Sequence, residues 1–148
     1  MKLNELRDEI HENAKNKGFY DVVKDGFDTR IKVLSHAFFA QQIALIHSEL
    51  SEAIEVDRLN KKSDMTSFGN LYNGSTPVML RKLDREQDDK YYKHLFEEYI
   101  KNSIEDELAD VIIRVLDLCG YLNINVEKHV EMKMRYNELR ECKHGKDY

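Results

Sequence analysis

Apolar residues recur at steps of three and four along most of the chain, and no stretch alternates as a strand would. Leu3, Leu6, Ile10 and Ala14 form a modest stripe that predicts a first helix over residues 3–17, with Gly18 as its stop. Residues 20–29, with Gly26 and several aspartates, read as an irregular connection. A second helix is predicted from residue 29 or 31 to residue 59, the longest uninterrupted pattern in the chain. Over residues 60–89 the pattern breaks: Gly69, Asn70, Asn73, Gly74 and Pro77 gather as turn formers among Phe68, Leu71 and Tyr72. This excursion is expected to be loop-rich, a lid or a surface segment with a short helix over residues 79–83. A third helix is expected from residue 88 or 89 to about 120, with a break near 101–103. After a turn at Asn123 and Asn125 comes a last helix over residues 126–141, striped by Val126, Val130, Met134 and Tyr136. Four or five helices without strands predict an all-α bundle.

Within this pattern two segments combine helical spacing with paired acids. Glu49 and Glu52 stand at i and i+3, and so do Glu107 and Asp110, so each pair projects from one helix face. Glu49 and Glu52 fall in a row with Phe38, Gln42, Leu45, Val56 and Leu59, which predicts that they face the interior. In the later segment Leu108, Val111, Ile112, Val115, Leu118, Cys119 and Leu122 form the apolar stripe, and Glu107 and Asp110 lie along its edge. Buried carboxylates must be neutralised, paired or metal-bound. Four hard oxygen donors and no histidine suit magnesium, with manganese as a substitute. The alternative is that these acids pair with Arg58, Arg114 or Lys133, or edge a solvated face. A di-iron bundle wants Glu-x-x-His on two helices, and Glu141-x-x-His144 is the one such pair in the sequence, which argues against redox di-iron chemistry.

Composition narrows the partners. A chain of 148 residues suffices for one domain with a core, and 41% hydrophobic against 34% charged residues argues for a folded helical protein. A net charge of −5 gives no basic footprint for polymeric nucleic acid, and it repels a small phosphorylated substrate unless cations intervene. Cys119 and Cys142 form no CxxC pair, and Cys119 is expected to pack in its stripe. No apolar run approaches 20 residues and the start is charged and helix-like, so no membrane span, no signal peptide and a cytoplasmic location are expected. Near the C-terminus Lys133, Asn137 and Arg140 share one helix face, followed by Lys143, His144, Gly145 and Lys146; they are candidate phosphate ligands, or simply charges that oppose the helix dipole.

Taken in order, Glu49-x-x-Glu52, Glu107-x-x-Asp110 inside Glu-Asp-Glu-Leu-Ala-Asp-Val-Ile-Ile-Arg, and the closing Lys-Met-Arg-Tyr-Asn-x-x-Arg-x-x-Lys-His-Gly-Lys resemble the MazG-like nucleoside triphosphate pyrophosphohydrolases. The opening Asn13-Ala14-Lys15-x-Lys17-Gly18-Phe19-Tyr20 is also similar to their N-terminal segments, so the likeness spans most of the chain. It implies a single MazG-like all-α domain over residues 1–148 that cleaves a nucleoside triphosphate between the α and β phosphates. It further implies magnesium on Glu49, Glu52, Glu107 and Asp110, and substrate contacts from Lys133, Asn137, Arg140, Lys146 and Tyr20, or from an aromatic of residues 68–72. A homodimer or dimer of dimers is implied as well. The interval between the acidic pairs is longer here than in compact members of that family. A non-catalytic helical module that binds nucleotide, metal or a protein partner is the competing reading.

Overall fold

The computed structural model describes residues 2–20, 32–74 and 85–140, with side chains from residue 37 onward in the second of these stretches and up to residue 73. Among the described residues there are six helices and no strand: α1 (Leu3–Asn16), α2 (Lys32–Arg58), α3 (Met65–Gly74), α4 (Arg85–Tyr99), α5 (Ile104–Tyr121) and α6 (Val126–Glu138). The expected all-α architecture therefore holds, with more helices than the four or five anticipated. The irregular connection over 21–29, the short helix over 79–83 and the basic tail with Lys146 lie outside the described residues. The chain forms two compact units, one of residues 1–42 and 113–148, the other of residues 43–112. No described helix is long and apolar enough to cross a membrane.

In the unit of residues 1–42 and 113–148, α1 ends where expected. Gly18 takes φ 84, Phe19 N donates to Ala14 O at 3.2 Å and Gly18 N to Lys15 O at 3.0 Å, a glycine-terminated Schellman motif. The same motif closes α5 at Asn123 (φ 52), with Ile124 N on Cys119 O at 2.9 Å and Asn123 N on Gly120 O at 3.0 Å. Asparagine serves there because it tolerates the left-handed region better than other side chains. Asn125 then caps α6 by accepting from Lys128 N at 3.1 Å, and it also accepts from Asn4 Nδ2 at 2.8 Å. Arg7 Nη1 donates to Ile124 O. These bonds fasten the first turns of α1 and α6 to each other. Beyond its first turn α6 is exposed: Val130, Met134 and Tyr136, expected to form a buried stripe, all face solvent.

Four rings close this unit. His11 meets Tyr20 edge-on at 4.9 Å, Tyr20 stacks on Tyr121 at 5.5 Å, and Phe38 lies 4.7 Å from Tyr121. Such pairs contribute roughly 0.5–1.5 kcal/mol each beyond the area they bury. His11 Nδ1 sits 2.7 Å from Asp117 Oδ1, with both side chains mostly buried. Burial, and then the neighbouring Asp117 carboxylate, push the Tyr20 phenol above its ordinary range. Burial likewise raises the Cys119 thiol, as expected for a cysteine that packs rather than reacts.

The unit of residues 43–112 corrects the expectation of a loop over 60–89. Residues 65–74 are helical because Asp64 caps them: its carboxylate accepts from Ser67 N at 2.8 Å and Ser67 Oγ at 2.6 Å. Asp64 N donates to Tyr99 O at 2.8 Å, which ties the start of α3 to the end of α4. The two helices then pack through rings, Phe68 on Tyr92 at 5.4 Å and Tyr72 on Tyr92 at 5.3 Å, while Tyr72 donates to Asp88 at 3.3 Å. Tertiary packing here overrides the poor helix propensity of Gly69, Asn70 and Asn73.

α4 and α5 are separate helices, not one with a kink. Asn102 takes φ 57, and Ser103 caps α5 by accepting from Asp106 N at 3.2 Å while Asp106 accepts from Asn102 N at 2.9 Å.

The closest approach in the first unit is at Gly120, where an added Cβ would stand 2.5 Å from His11 Cβ and 2.8 Å from its Cγ. Gly120→Ala is therefore expected to lower stability by about 1–3 kcal/mol, as overpacking does. A urea titration reads this as a lower midpoint at unchanged slope; an unchanged midpoint would show that α1 yields freely at this contact.

Candidate metal centre

The chain end of α2 is bonded to the start of α5. α2 closes in a Schellman motif at Asn60 (φ 52), with Lys61 N on Val56 O at 3.3 Å and Asn60 N on Asp57 O at 2.9 Å. The Lys61 carbonyl then accepts from Ile104 N at 3.2 Å, and Ser63 N donates to Glu105 Oε2 at 2.9 Å. From this anchor the register runs up both helices and brings Glu107 and Asp110 of α5 to Glu49 of α2. One carboxylate oxygen from each of the three lies within 4.8 Å of the others.

Their burial is unusual for acids. Glu49 is 7% exposed and Glu107 6%, beside Ala53 and Val56 in the core of this unit, while Asp110 is open to solvent. The expected placement of Glu107 at the edge of an apolar stripe is thus corrected: Glu107 points in, whereas Leu108 is 45% and Ile112 56% exposed. Burial pushes the Glu107 carboxyl above its usual range, and the negative charges of Glu52, Asp106, Asp110 and Glu49 push it the same way. A divalent cation would reverse both effects, and three carboxylates with open space beside them match the hard-oxygen set of magnesium or manganese.

Glu52 stands at the edge of this group. It is exposed, contrary to the interior position expected, and its Oε1 accepts from Ser48 Oγ at 3.3 Å. It lines an open cleft of about 500 Å³ together with Glu107, Glu55, Val56, Lys61 and Asn102. Of the cations that the salt-bridge alternative names, Arg58 lies 3.8 Å from Glu55.

Of the expected phosphate and base contacts, Lys133, Asn137, Arg140 and Tyr20 belong to the other unit. Lys133 and Asn137 line one groove of α6 with His129, and Lys133 and Arg140 both approach the Tyr136 ring, at 4.9 and 5.8 Å from its centroid. Tyr20 is held in the ring cluster described above, and the aromatics of residues 68–72 pack on α4. Sequence reasoning missed Lys61 and Asn102 as cleft residues. Their signals were Asn60 just past the end of α2 and Ser103-x-x-Asp106 at the start of α5, both helix-end signatures.

Compared with protein-family models, with curated proteins and with solved structures, the chain finds no match in any of the three.

A group whose folded pKa lies above its unfolded value contributes stability that is complete below the unfolded value and lost as pH rises through the folded one. For Glu107 that loss sets in as pH rises out of the ordinary glutamate range, so without metal the fold is less stable at pH 7 to 8 than at pH 4.5 on account of this group. Glu107→Gln is therefore expected to melt higher than the wild type in chelator at pH 7.5, with the gap narrowing as pH falls toward 4.5. Magnesium is expected to raise the melting temperature of the wild type and not that of Glu107→Gln. Thermal melts across pH, with chelator or with magnesium, check both; no magnesium response in the wild type would remove the metal from this site.

Proposed function

We propose that the chain is a magnesium-dependent, MazG-like nucleoside triphosphate pyrophosphohydrolase, which converts a triphosphate and water to a monophosphate and pyrophosphate in nucleotide housecleaning. The observation that carries this reading is the convergence of Glu49, Glu107 and Asp110, two of them buried, beside a cleft of the size of a small-molecule site. These three carboxylates would hold the cation, with Glu52 completing the set from the cleft edge. A bound divalent ion supplies charge neutralisation on phosphate oxygens and a more acidic water. Water oxygen then bonds to the α phosphorus as the bond from that phosphorus to the bridging oxygen breaks, and pyrophosphate carries away the electron pair. Glu52, exposed at the cleft edge, would take the water's proton. Lys133, Asn137, Arg140 and Lys146 remain proposed contacts to phosphate or sugar, and Tyr20 to the base.

We further propose that the chain works as a homo-oligomer. In an antiparallel helix pair the residues one and five places after the facing acids fall on the same side of both helices. Those residues are Leu50 and Ile54 on α2 and Leu108 and Ile112 on α5, all of them exposed. A two-helix apolar face of this kind is self-complementary under a two-fold axis and closes as a four-helix arrangement with a second copy.

Incubation with a panel of canonical and modified NTPs and dNTPs in magnesium is expected to release monophosphate and pyrophosphate, and Glu107→Gln is expected to fall to background with its helical spectrum retained. Diphosphate and orthophosphate as products, or full activity in Glu107→Gln, would overturn the assignment. Light scattering is expected to give a multiple of 17.5 kDa for the wild type and a shift toward the monomer for Ile54→Asp or Ile112→Asp. A wild-type mass of one chain would exclude the shared interface.

A further inference from the structure

The cleft beside Glu107 carries carboxylates from Glu52, Glu55 and Glu107, and among the residues that line it Lys61 is the one cation. Of its acidic neighbours, Glu55 pairs with Arg58 at 3.8 Å, and Glu52 accepts from Ser48 Oγ at 3.3 Å. Among the described residues no ion pair involves Lys61, whose side chain is exposed. Its backbone is nonetheless fixed, since its N–H donates to Val56 O at 3.3 Å and its carbonyl accepts from Ile104 N at 3.2 Å. That second bond is the same one that sets the register of Glu107, which lies three residues, roughly 4.5 Å, further along α5. Asn102, held in the left-handed region at φ 57 with its N–H on Asp106, lines the cleft as well.

A cleft so rich in carboxylates repels an anion, and a metal on the trio would offset that repulsion only near the trio. A polyphosphate with one phosphate at the metal has a neighbouring phosphate that still needs a positive partner within the cleft. Lysine is a compact point charge with three donors, suited to that task, and an asparagine carboxamide adds two more donors. We propose that Lys61, with Asn102 lining the same cleft, binds phosphate oxygens of a polyphosphate whose adjacent phosphate is held at Glu49, Glu107 and Asp110. This assignment rests on the pyrophosphohydrolase reading for its substrate class, though not for its test.

Titration calorimetry of the full chain with inorganic pyrophosphate in magnesium tests it, on the wild type, Lys61→Gln and Lys61→Arg. Lys61→Gln is expected to bind pyrophosphate at least about tenfold more weakly, as loss of a hydrogen bond to a charged group does, and Lys61→Arg to stay within about threefold of the wild type. Magnesium titrated alone is expected to bind all three equally, which shows the fold and the trio intact. Equal pyrophosphate affinity in Lys61→Gln and the wild type, or no pyrophosphate binding by a wild type that binds magnesium, overturns the role of Lys61. Triphosphate turnover with an unchanged KM in Lys61→Gln also overturns it and leaves the enzyme reading standing. Lysine-dependent pyrophosphate binding in a chain that hydrolyses no triphosphate upholds the site and removes that reading.

Discussion

Two carboxylates facing each other in a small core are the constraint on which this structure depends. Glu49 and Glu107 are as buried as the Ala53, Val56, Leu95 and Ile100 side chains that form the apolar core of their unit. Burial, and then the surrounding acids, hold the Glu107 carboxyl above its usual range, so keeping it ionised there costs free energy. No hydrophobic gain compensates locally, because the same helix turn that buries Glu107 exposes Leu108 and Ile112. A helix free to rotate would do the reverse. We propose that a cation among the carboxylates and an apolar partner against the outward face account for this orientation.

The bonds that tie α2 to α5 and cap α5 lie at helix ends. Asn60 turns the chain out of α2, Ser103 and Asp106 cap the start of α5, and the Lys61 carbonyl joins the two through Ile104 N. Such bonds set register without requiring a large core, and register is what brings Glu107 and Asp110 to Glu49. The α3 and α4 pair, braced by its own rings, follows α2 directly and returns the chain to α5. In the other unit the same economy recurs, with side-chain and backbone bonds between α1 and α6 and a ring cluster in place of a broad aliphatic core.

Much of this was legible in the residues. Helical periodicity located α1, α2 and α6 closely, Gly18 marked a real left-handed stop, and the acid spacing named the side chains that converge. The failures have separable causes. α3 was hidden because Gly69, Asn70 and Asn73 are turn formers by composition, whereas its helix rests on the Asp64 cap and on rings more than 20 residues away. The facing of α5 was misjudged because periodicity ranks Leu108 and Ile112 as core, while the Lys61 to Ile104 bond that ties α5 to the end of α2 is a tertiary contact outside any local pattern. Lys61 carried no ligand motif, only the helix-end signal of Asn60 beside it. It enters the cleft from a turn, and a turn residue's neighbours are fixed by tertiary register that no local pattern encodes.

The central claim is that Glu49, Glu107 and Asp110 together hold a divalent ion. Crystals grown with manganese, with data collected at a wavelength where manganese scatters anomalously, locate the ion directly. An anomalous peak within coordination distance of all three carboxylates is expected; at saturating manganese, an absent peak, or a peak only at other acids, would contradict the claim.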